Sequence, residues 1–293
     1  MNYAETSQDS LDPSLHWLAN YQAELVYLDQ KTRLGKTRHF GPLRVQRPFY
    51  PEGHQCAHLY LLHPPGGLVA GDYLTISLLL DDGAQALVTT PSAGKIYNNI
   101  TELNQTQKVR LCIKDQAVLE WMPQETIVFD GAKGELITQV DISGSGIFVG
   151  WDIVCLGRPS SEDWFAKGRI EQSLLIRRDA KPVFIERNRI DAAQDIMQLK
   201  AGLAGEPVFG CFVISAEEDI LNRVVQLNEQ DFELLQELAG TGLFAVTQKP
   251  GAVVVRYLGA CAETAKKVFT HYWALVRPHV NQRGACPPRI WNT

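Results

Sequence analysis

The feature of this sequence that most restricts its fold is a regular series of short β-type segments. Four of them are YLTISLLL, AQALVTT, QKVRLCIK and ELITQVDI, in which apolar and β-branched residues alternate or cluster as they do in strands. Such segments recur roughly every 8–12 residues, and no long helical pattern interrupts them before residue 190. The series predicts a mainly β, strand-rich body over residues 17–190.

The last third of the sequence has a different pattern. Residues 214–240 carry acids first, then apolar residues at helical spacing, and they end at a glycine. Residues 261–279 place a set of apolar side chains on one side of a helix: Ala265, Val268, Phe269, Tyr272 and Val276. We expect about two helices in a small α/β part over residues 191–293. A polar, flexible tail of residues 1–16 is expected to precede a single domain of residues 17–293.

Composition and charge argue against several classes of protein. The net charge of −5 gives no reason to expect binding to nucleic acid or to an acidic membrane surface. No apolar run approaches the roughly 20 residues that a membrane-spanning helix needs, and the N-terminus lacks the pattern of a secretory signal. Six cysteines are present without a C-x-x-C pair, which argues against a zinc ribbon. We therefore expect a cytoplasmic protein with reduced thiols.

Residues 63–72, HPPGGLVAGD, combine two prolines with three glycines and end in an acid. The glycine spacing does not fit a dinucleotide-binding loop, and a strand follows instead of a helix, so no phosphate site is expected. The residues predicted to end one strand and turn into the next are Pro64, Pro65, Gly66, Gly67 and Gly71. The turn does not explain Asp72, because an acid that enters an apolar strand is costly unless it is exposed, paired or solvated.

Several longer motifs occur in one order along the chain. They are GPLRVQRPFYPEG, LLHPPGGLVAGD, TTPSAGKIY, LEWMPQETIVFDGA, WDIVCLGRP and VVRYLG, followed by the closing PPRIW. Together they resemble the urease accessory protein D family over about Tyr21 to Thr293. Ala70 departs from the family pattern, which often has a glycine there. An alanine forbids only a positive φ at that position, at modest cost.

The resemblance implies a fold and a role. Proteins of this family are largely β, with strands wound in a layered, helical arrangement, which implies a β-helix-like body here. They bind apo-urease together with an F-type accessory protein and a G-type GTPase, and they help to deliver nickel. The resemblance further implies an internal water-filled passage, a transient Ni²⁺ cargo, no tightly bound cofactor and no reaction of its own.

A nickel passage needs ligands that attract the ion and then release it, because a closed cage of four ligands would trap it. Scattered single acids fit this requirement. The acids that lie in otherwise apolar strands are Asp72, Glu120, Asp130, Asp152 and Glu186. For each acid the alternative is a structural carboxylate that is paired with an arginine or bonded to a turn amide. Glu186 has Arg187 and Arg189 beside it, which favours that alternative.

A second candidate metal site is the HQCAH segment. In an extended chain, His54, Cys56 and His58 point to one face, and their side chains are ligands for Ni²⁺ or Zn²⁺. The alternative is a surface loop with a partly buried Cys56. Structural roles are expected for three other motif residues, Arg47, Lys95 and Tyr97, with Arg47 as a partner for an internal acid.

Two other functions stay open at this point. The same acids could serve a layered β enzyme that cleaves polysaccharides with paired carboxylates, which requires two acids beside an open, aromatic-lined cleft. The chain could also be a metal-free interaction scaffold with a solid core. An internal passage would favour metal delivery over both alternatives.

Overall fold

The computed structural model describes residues 15–292, except for the side chains of residues 228–230. Of the predicted tail, residues 1–14 lie outside the described residues. The strands are β1 (Trp17–Leu28), β2 (Lys31–Phe40), β3 (Arg44–Val45), β4 (Cys56–Leu62), β5 (Asp72–Leu80), β6 (Gln85–Thr89), β7 (Gly94–Ile96), β8 (Gln105–Ile113), β9 (Val118–Trp121), β10 (Thr126–Val128), β11 (Lys133–Ile142), β12 (Ile147–Leu156), β13 (Arg169–Arg178), β14 (Lys181–Asp191), β15 (Val208–Ser215), β16 (Leu243–Lys249) and β17 (Ala252–Gly259). The helices are α1 (Glu218–Ala239) and α2 (Ala262–Asn281), with short 3₁₀ turns at Pro159–Ser161, Asp195–Met197 and Arg289–Asn292.

Most of these strands stack as successive coils of a helically wound body. Strands β1, β5, β8, β11 and β13 lie parallel in one sheet, which antiparallel β2 and β14 close at its two edges. Strands β4, β6, β9 and β12 lie parallel in a second sheet. Strands β7 and β10 and the end of β12 form a short third face. The predicted mainly β, β-helix-like architecture is confirmed.

Parallel register places similar side chains above one another inside this body. Leu78 of β5 is in register with Leu111 of β8, Val140 of β11 and Ile176 of β13. All four side chains are buried, because strand alternation turns this set of positions toward the interior. A single coil could not bury its apolar face alone, so stacking of coils produces the continuous core.

The second sheet is covered on both faces, because α1 and α2 pack on its outer side. Trp151 and Phe212 belong to the core beneath the helices, whereas Val154 belongs to the core of the wound body. A strand that is buried on both faces reads as a continuous apolar run, which explains the sequence IFVGWDIVCL of β12. Along β12, odd-numbered residues therefore face the helices, and even-numbered residues face the interior of the wound body.

The last third of the chain continues this second sheet. Strands β15, β17 and β16 add to it in antiparallel order, beyond β12. Both predicted helices are present, α1 is followed by Gly240 with a φ of +60°, and all five predicted apolar positions of α2 are buried. Neither helix, nor any other within residues 15–292, combines the length and the apolar character that crossing a lipid bilayer requires.

Candidate internal polar site

The HPPGGLVAGD loop is a turn that joins two parts of the wound body. After the two prolines, the Gly66 N–H donates to the His63 carbonyl at 2.8 Å, with a φ of +80° at Gly66. Gly67 lies against β7, where an added Cβ would come within 2.6 Å of the Tyr97 ring and 2.8 Å of the Lys95 side chain. The loop, Lys95 and Tyr97 therefore form one packed structural unit, in which a larger residue than Gly67 does not fit.

Asp72 is the first residue of β5, and its side chain is buried. One carboxyl oxygen, Oδ2, accepts a hydrogen bond from the Val69 N–H at 2.8 Å. The other oxygen, Oδ1, is buried and has no hydrogen-bond partner among the described residues. Burial raises the pKa of this carboxyl, and the Val69 N–H offsets only part of that effect. Asp72 thus has one oxygen atom available for a ligand.

Asp152 of β12 points into the wound body. Trp151 and Ile153 on either side face the helices, so strand alternation turns Asp152 the other way. There it lines a cavity of about 30 Å³, which has room for one or two water molecules. Burial raises the pKa of the Asp152 carboxyl to about 7, with repulsion from Glu186 adding to the effect and a hydrogen bond from Gln172 opposing it. This carboxyl therefore changes its charge near neutral pH.

Other polar side chains of the cavity come from several coils. The lining includes Gln107, Gln124, Thr126 and Thr138, with Trp121 and Leu136 among the apolar members. The neutral amide and hydroxyl oxygens can solvate an ion or a water molecule without fixing it strongly. The cavity is therefore a weakly polar compartment with one ionisable group, Asp152.

Asp152 belongs to a chain of hydrogen-bonded side chains that we call the internal polar row: Asp152, Gln172, Asn188, Glu186 and Arg256. Gln172 contacts Asp152, and the Asn188 Nδ2 donates to Gln172 Oε1 at 3.0 Å and to Glu186 Oε1 at 3.2 Å. Arg256 is ion-paired with Glu186. Strand register places both ends of the row on one face of the second sheet. Asp152 of β12 is paired with Cys211 of β15, and Cys211 is paired with Arg256 of β17.

The internal polar row reaches a groove on the protein surface. This groove has a volume of about 400 Å³, and Glu186, Asn188 and Arg256 line it. The opposite end of the row, Asp152, lines the internal cavity. The row therefore extends from the surface groove to the small internal cavity. It consists of two acidic side chains, one arginine and two neutral amides.

Glu120 lies on the other side of the second sheet, in a buried ion pair. Its carboxylate accepts hydrogen bonds from the Trp273 Nε1 at 2.6 Å and from the Arg277 Nη2 at 2.9 Å. Arg277 in turn donates to Glu52, with 2.6 Å between Nη2 and Oε1. Glu120 and Arg277 are both about 1% exposed. This carboxylate is fully engaged and therefore fits the structural alternative.

Asp130 also has a structural position. Its Oδ1 accepts hydrogen bonds from the backbone N–H groups of Ala166 at 2.8 Å and Lys167 at 2.7 Å. The Asp130 carbonyl accepts another from the Asn98 side chain at 2.9 Å. Asp130 therefore holds the loop after β12 against the turn after β10.

Two pairings differ from the sequence-based expectation. Glu186 does not pair with the neighbouring Arg187 or Arg189, because strand alternation turns both arginines to the opposite face of β14. Its partner is Arg256 of β17. Arg47 is exposed and pairs with no internal acid among the described residues. The arginine that pairs with the buried Glu120 is Arg277.

The structure divides the predicted His54, Cys56 and His58 set. His54 is exposed and packs its ring against Tyr50, at 5.3 Å between ring centroids. Cys56 and His58 are buried in β4, and the His58 Nε2 lies 2.7 Å from Glu52 Oε1. The three side chains do not form one site, because the regular strand begins only at Cys56.

Several residues that complete these clusters are absent from the sequence-based predictions: Glu52, Gln172, Arg256, Trp273 and Arg277. For Arg277 a signal was present. It continues the apolar stripe of α2 one turn after Trp273, and a charged residue in such a stripe requires a buried partner. Glu120 in an apolar strand is that partner, although nothing local in the sequence joins the two.

Comparison with known proteins identifies the family of this chain. A family model described as "UreD urease accessory protein" matches residues 19–292. The protein named "Urease accessory protein UreD" of Saccharophagus degradans is 43% identical over 288 residues, which cover 96% of this chain and 95% of the relative. Proteins of the same name are 39% identical in Dechloromonas aromatica, over 98% of both chains, and 39% identical in Hahella chejuensis, over 95% of this chain and 91% of the relative. The chain belongs to the UreD urease accessory protein family.

Proposed function

We propose that this protein is a non-enzymatic maturation factor of urease that helps to deliver Ni²⁺ into the apo-enzyme through its interior. In this proposal it acts in the cytoplasm and binds apo-urease, an F-type accessory protein and a G-type GTPase. Family membership supports the role in urease maturation. The observation that supports nickel transfer most directly is Asp152, a single carboxyl that lines an internal cavity and that hydrogen-bonded side chains link to Glu186 and Arg256 at a surface groove.

The chemistry of Asp152 suits an ion that must move on. A carboxyl with a pKa of about 7 can exchange its proton for a metal ion near neutral pH. A lone carboxylate with neutral amide and hydroxyl neighbours lacks the softer and more numerous ligands of a permanent site. Such an arrangement favours weak binding and fast release, which a passage requires.

The internal polar row supplies an entrance for the proposed path. Glu186 at the surface groove is ion-paired with Arg256, so an incoming cation has to displace that guanidinium before it reaches the carboxylate. Asp72 is a further proposed station, since its Oδ1 is buried without a partner among the described residues. Glu120 and Asp130 are left out of the path, because indole and arginine donors occupy both oxygen atoms of Glu120 and two backbone amides bind Oδ1 of Asp130.

Of the alternatives, carbohydrate cleavage has less support. That chemistry requires two free carboxyl groups beside an open cleft. Glu186 is committed to Arg256, and Asp130 holds two backbone amides. Asp72 is buried. The nickel content of urease, measured as described next, distinguishes a nickel passage from a metal-free scaffold.

The test is activation of urease in cells that co-express urease with the F-type and G-type accessory proteins and this chain. Asp152→Asn and Asp72→Ala are expected to lower the nickel content of purified urease while co-purification with the partners is unchanged. The matched control is Asp141→Asn on β11, which alters an exposed ion pair with Arg177 of β13. This variant is expected to act like the wild type. Normal nickel content with both path variants would instead identify a metal-free scaffold.

A further inference from the structure

A cluster of metal-binding side chains lies outside the internal polar row, where the C-terminal segment meets β4. Glu52, His58 and Cys286 each place a possible ligand atom within 4.8 Å of the other two. The carboxylate and imidazole are already in contact, with 2.7 Å between Glu52 Oε1 and His58 Nε2. Cys286 belongs to the segment that follows α2, so the cluster joins residues more than 220 positions apart in the sequence.

The fold holds these three residues in place from several directions. His58 is fully buried within β4, and Glu52 lies in the turn before that strand. Arg283 fixes the C-terminal segment to the same turn through hydrogen bonds to Gln55 Oε1 at 2.8 Å and Gln85 Oε1 at 3.0 Å. Arg277 also donates to the Gly284 carbonyl. Cys286 is thus tethered close to the other two residues by neighbours that are not ligands.

The charges of the buried groups leave a place for a cation. Glu52 and Glu120 are two carboxylates, and Arg277 is the one guanidinium that pairs with both. Arg283 is directed toward neutral oxygen atoms of Gln55, Gln85 and the Glu52 backbone. Glu52, Glu120 and Arg277 by themselves therefore sum to one negative charge. A divalent cation that displaces the Cys286 proton brings this sum to zero.

The contacts around Glu52 and His58 show how the two groups are held. The His58 Nε2 lies 2.7 Å from Glu52 Oε1, and the Nδ1 of the fully buried ring has no hydrogen-bond partner among the described residues, so this one contact and packing within β4 orient the ring. Arg277 donates to both oxygen atoms of Glu52, through Nη1 to Oε2 at 2.8 Å and through Nη2 to Oε1 at 2.6 Å. A metal ion bound at Oε1 would replace the Nη2 hydrogen bond, while Nη1 continues to orient Oε2. Carboxylates that bind metals are commonly oriented by a hydrogen bond to their second oxygen.

We propose that Glu52, His58 and Cys286 bind a divalent transition-metal ion of borderline character, Ni²⁺ or Zn²⁺. One imidazole, one carboxylate and one thiolate are ligands that both ions accept, whereas Mg²⁺ and Ca²⁺ require oxygen ligands. Metal–ligand bonds of about 2.0–2.3 Å place tetrahedral ligands about 3.5 Å apart. The Glu52 and His58 atoms, now 2.7 Å apart, would separate slightly around an ion, and Cys286, within 4.8 Å of both, would complete the set of three ligands. Three protein ligands leave a fourth position open, as in sites where metal exchanges.

The site does not depend on the proposed passage. Its ligands lie in the Glu52 turn, on β4 and on the C-terminal segment, whereas the internal polar row lies between β12, β13, β14 and β17. Binding of the ion fastens the C-terminal segment, whose Trp291 Nε1 donates to Thr89 Oγ1 at 2.8 Å, to the wound body. Failure of nickel transfer through Asp152 would leave this proposal unchanged, and the reverse also holds.

The first test is titration of the purified full-length chain with Co²⁺, which reports a thiolate ligand by a ligand-to-metal charge-transfer band in the near ultraviolet. One equivalent is expected to give this band, and Ni²⁺ or Zn²⁺, but not Mg²⁺, is expected to remove it by competition. Cys286→Ser should abolish the band and weaken Co²⁺ binding by at least about tenfold. The control, Cys261→Ser, removes an exposed thiol at the start of α2 and should leave the band intact.

A second measurement needs no variant. Zn²⁺ is expected to slow alkylation of Cys286 by iodoacetamide in the wild-type chain, as followed by peptide mass spectrometry, because a metal-bound thiolate is not free to attack. Exposed Cys261 is expected to react at an unchanged rate. The absence of a thiolate band in the wild type, a band that Cys286→Ser retains, or alkylation of Cys286 that Zn²⁺ does not slow would each overturn the proposal.

Discussion

Replacement of Asp152 by asparagine tests whether a charged group is retained in the interior at the expense of stability. The substitution keeps the size of the side chain and its hydrogen bond with Gln172, and it removes only the ionisable group. Burial raises the pKa of Asp152 from 3.8 to about 7. A raised carboxyl pKa means that the folded state binds more protons than the unfolded chain between these two values, so the unfolding free energy falls as the pH rises through that range.

The magnitude follows from the two pKa values. A difference of about 3 pKa units corresponds to about 4 kcal/mol, because each unit is worth about 1.4 kcal/mol. The full penalty applies above pH 7, where the carboxyl is charged in both states, and about 40% of it applies at pH 5. Asp152→Asn is therefore expected to raise the unfolding free energy by about 4 kcal/mol at pH 8 and by about 2 kcal/mol at pH 5.

The assay is urea denaturation of the wild type and the variant at a series of pH values. Asp141→Asn serves as the control, since its ion pair with Arg177 is exposed and a change within about 0.5 kcal/mol is expected at every pH. A stabilisation that grows with pH, combined with loss of nickel transfer, would indicate that the carboxylate is kept for function. An Asp152→Asn variant that is less stable at pH 8, or whose difference from the wild type does not vary with pH, would refute the reasoning.

Three further outcomes are expected. Glu120→Gln should lower the unfolding free energy in urea by about 3 kcal/mol, because it leaves the buried Arg277 with one carboxylate instead of two; a loss below about 1 kcal/mol would contradict the assigned ion pair. Burial alone would raise the pKa of Glu52, but hydrogen bonds from His58 and Arg277 hold it at about 2, below its usual 4.5. Because a depressed carboxyl pKa contributes stability that is lost as the pH falls, the wild type should lose about 3 kcal/mol more than Glu52→Gln between pH 5 and pH 2, as measured by acid-dependent denaturation, and equal losses would exclude this role. Gly66 and Gly71 have φ values of +80° and +81°, but only at Gly71 would an added Cβ meet a backbone oxygen, at 2.4 Å. Gly66→Ala should therefore cost about 1 kcal/mol, and Gly71→Ala about 2 kcal/mol more, in thermal or urea unfolding; similar losses would show that the clash relaxes.

How far the sequence identifies a candidate site residue depends on how local its signal is. Asp72 and Asp152 are identifiable as unusual from sequence, since each is an acid in an apolar strand. Whether such an acid is paired depends on residues from distant coils. Glu120 meets Arg277, which lies 157 positions further along the chain, whereas Asp152 meets Gln172 and a cavity. Nothing adjacent to either acid in the sequence separates these two outcomes.

The HQCAH segment illustrates the same limit. Alternation correctly places Cys56 and His58 on the same side of a strand, because that rule depends only on extended backbone geometry. It also included His54, which precedes the regular strand and is exposed. The residues that complete the cluster, Glu52 and Cys286, come from a turn and from the C-terminal segment.

The sequence by itself determined the strand series, the two helices and the mainly β character of this chain, because hydrophobic periodicity records which face of each segment is buried. Tertiary structure alone decided the polar chemistry. Winding of the coils brings Asp152 of β12 to Gln172 of β13, and packing of α2 on the second sheet brings Arg277 to Glu120. Since these meetings depend on the register of strands and on the closure of long loops, no local pattern of residues could have specified them.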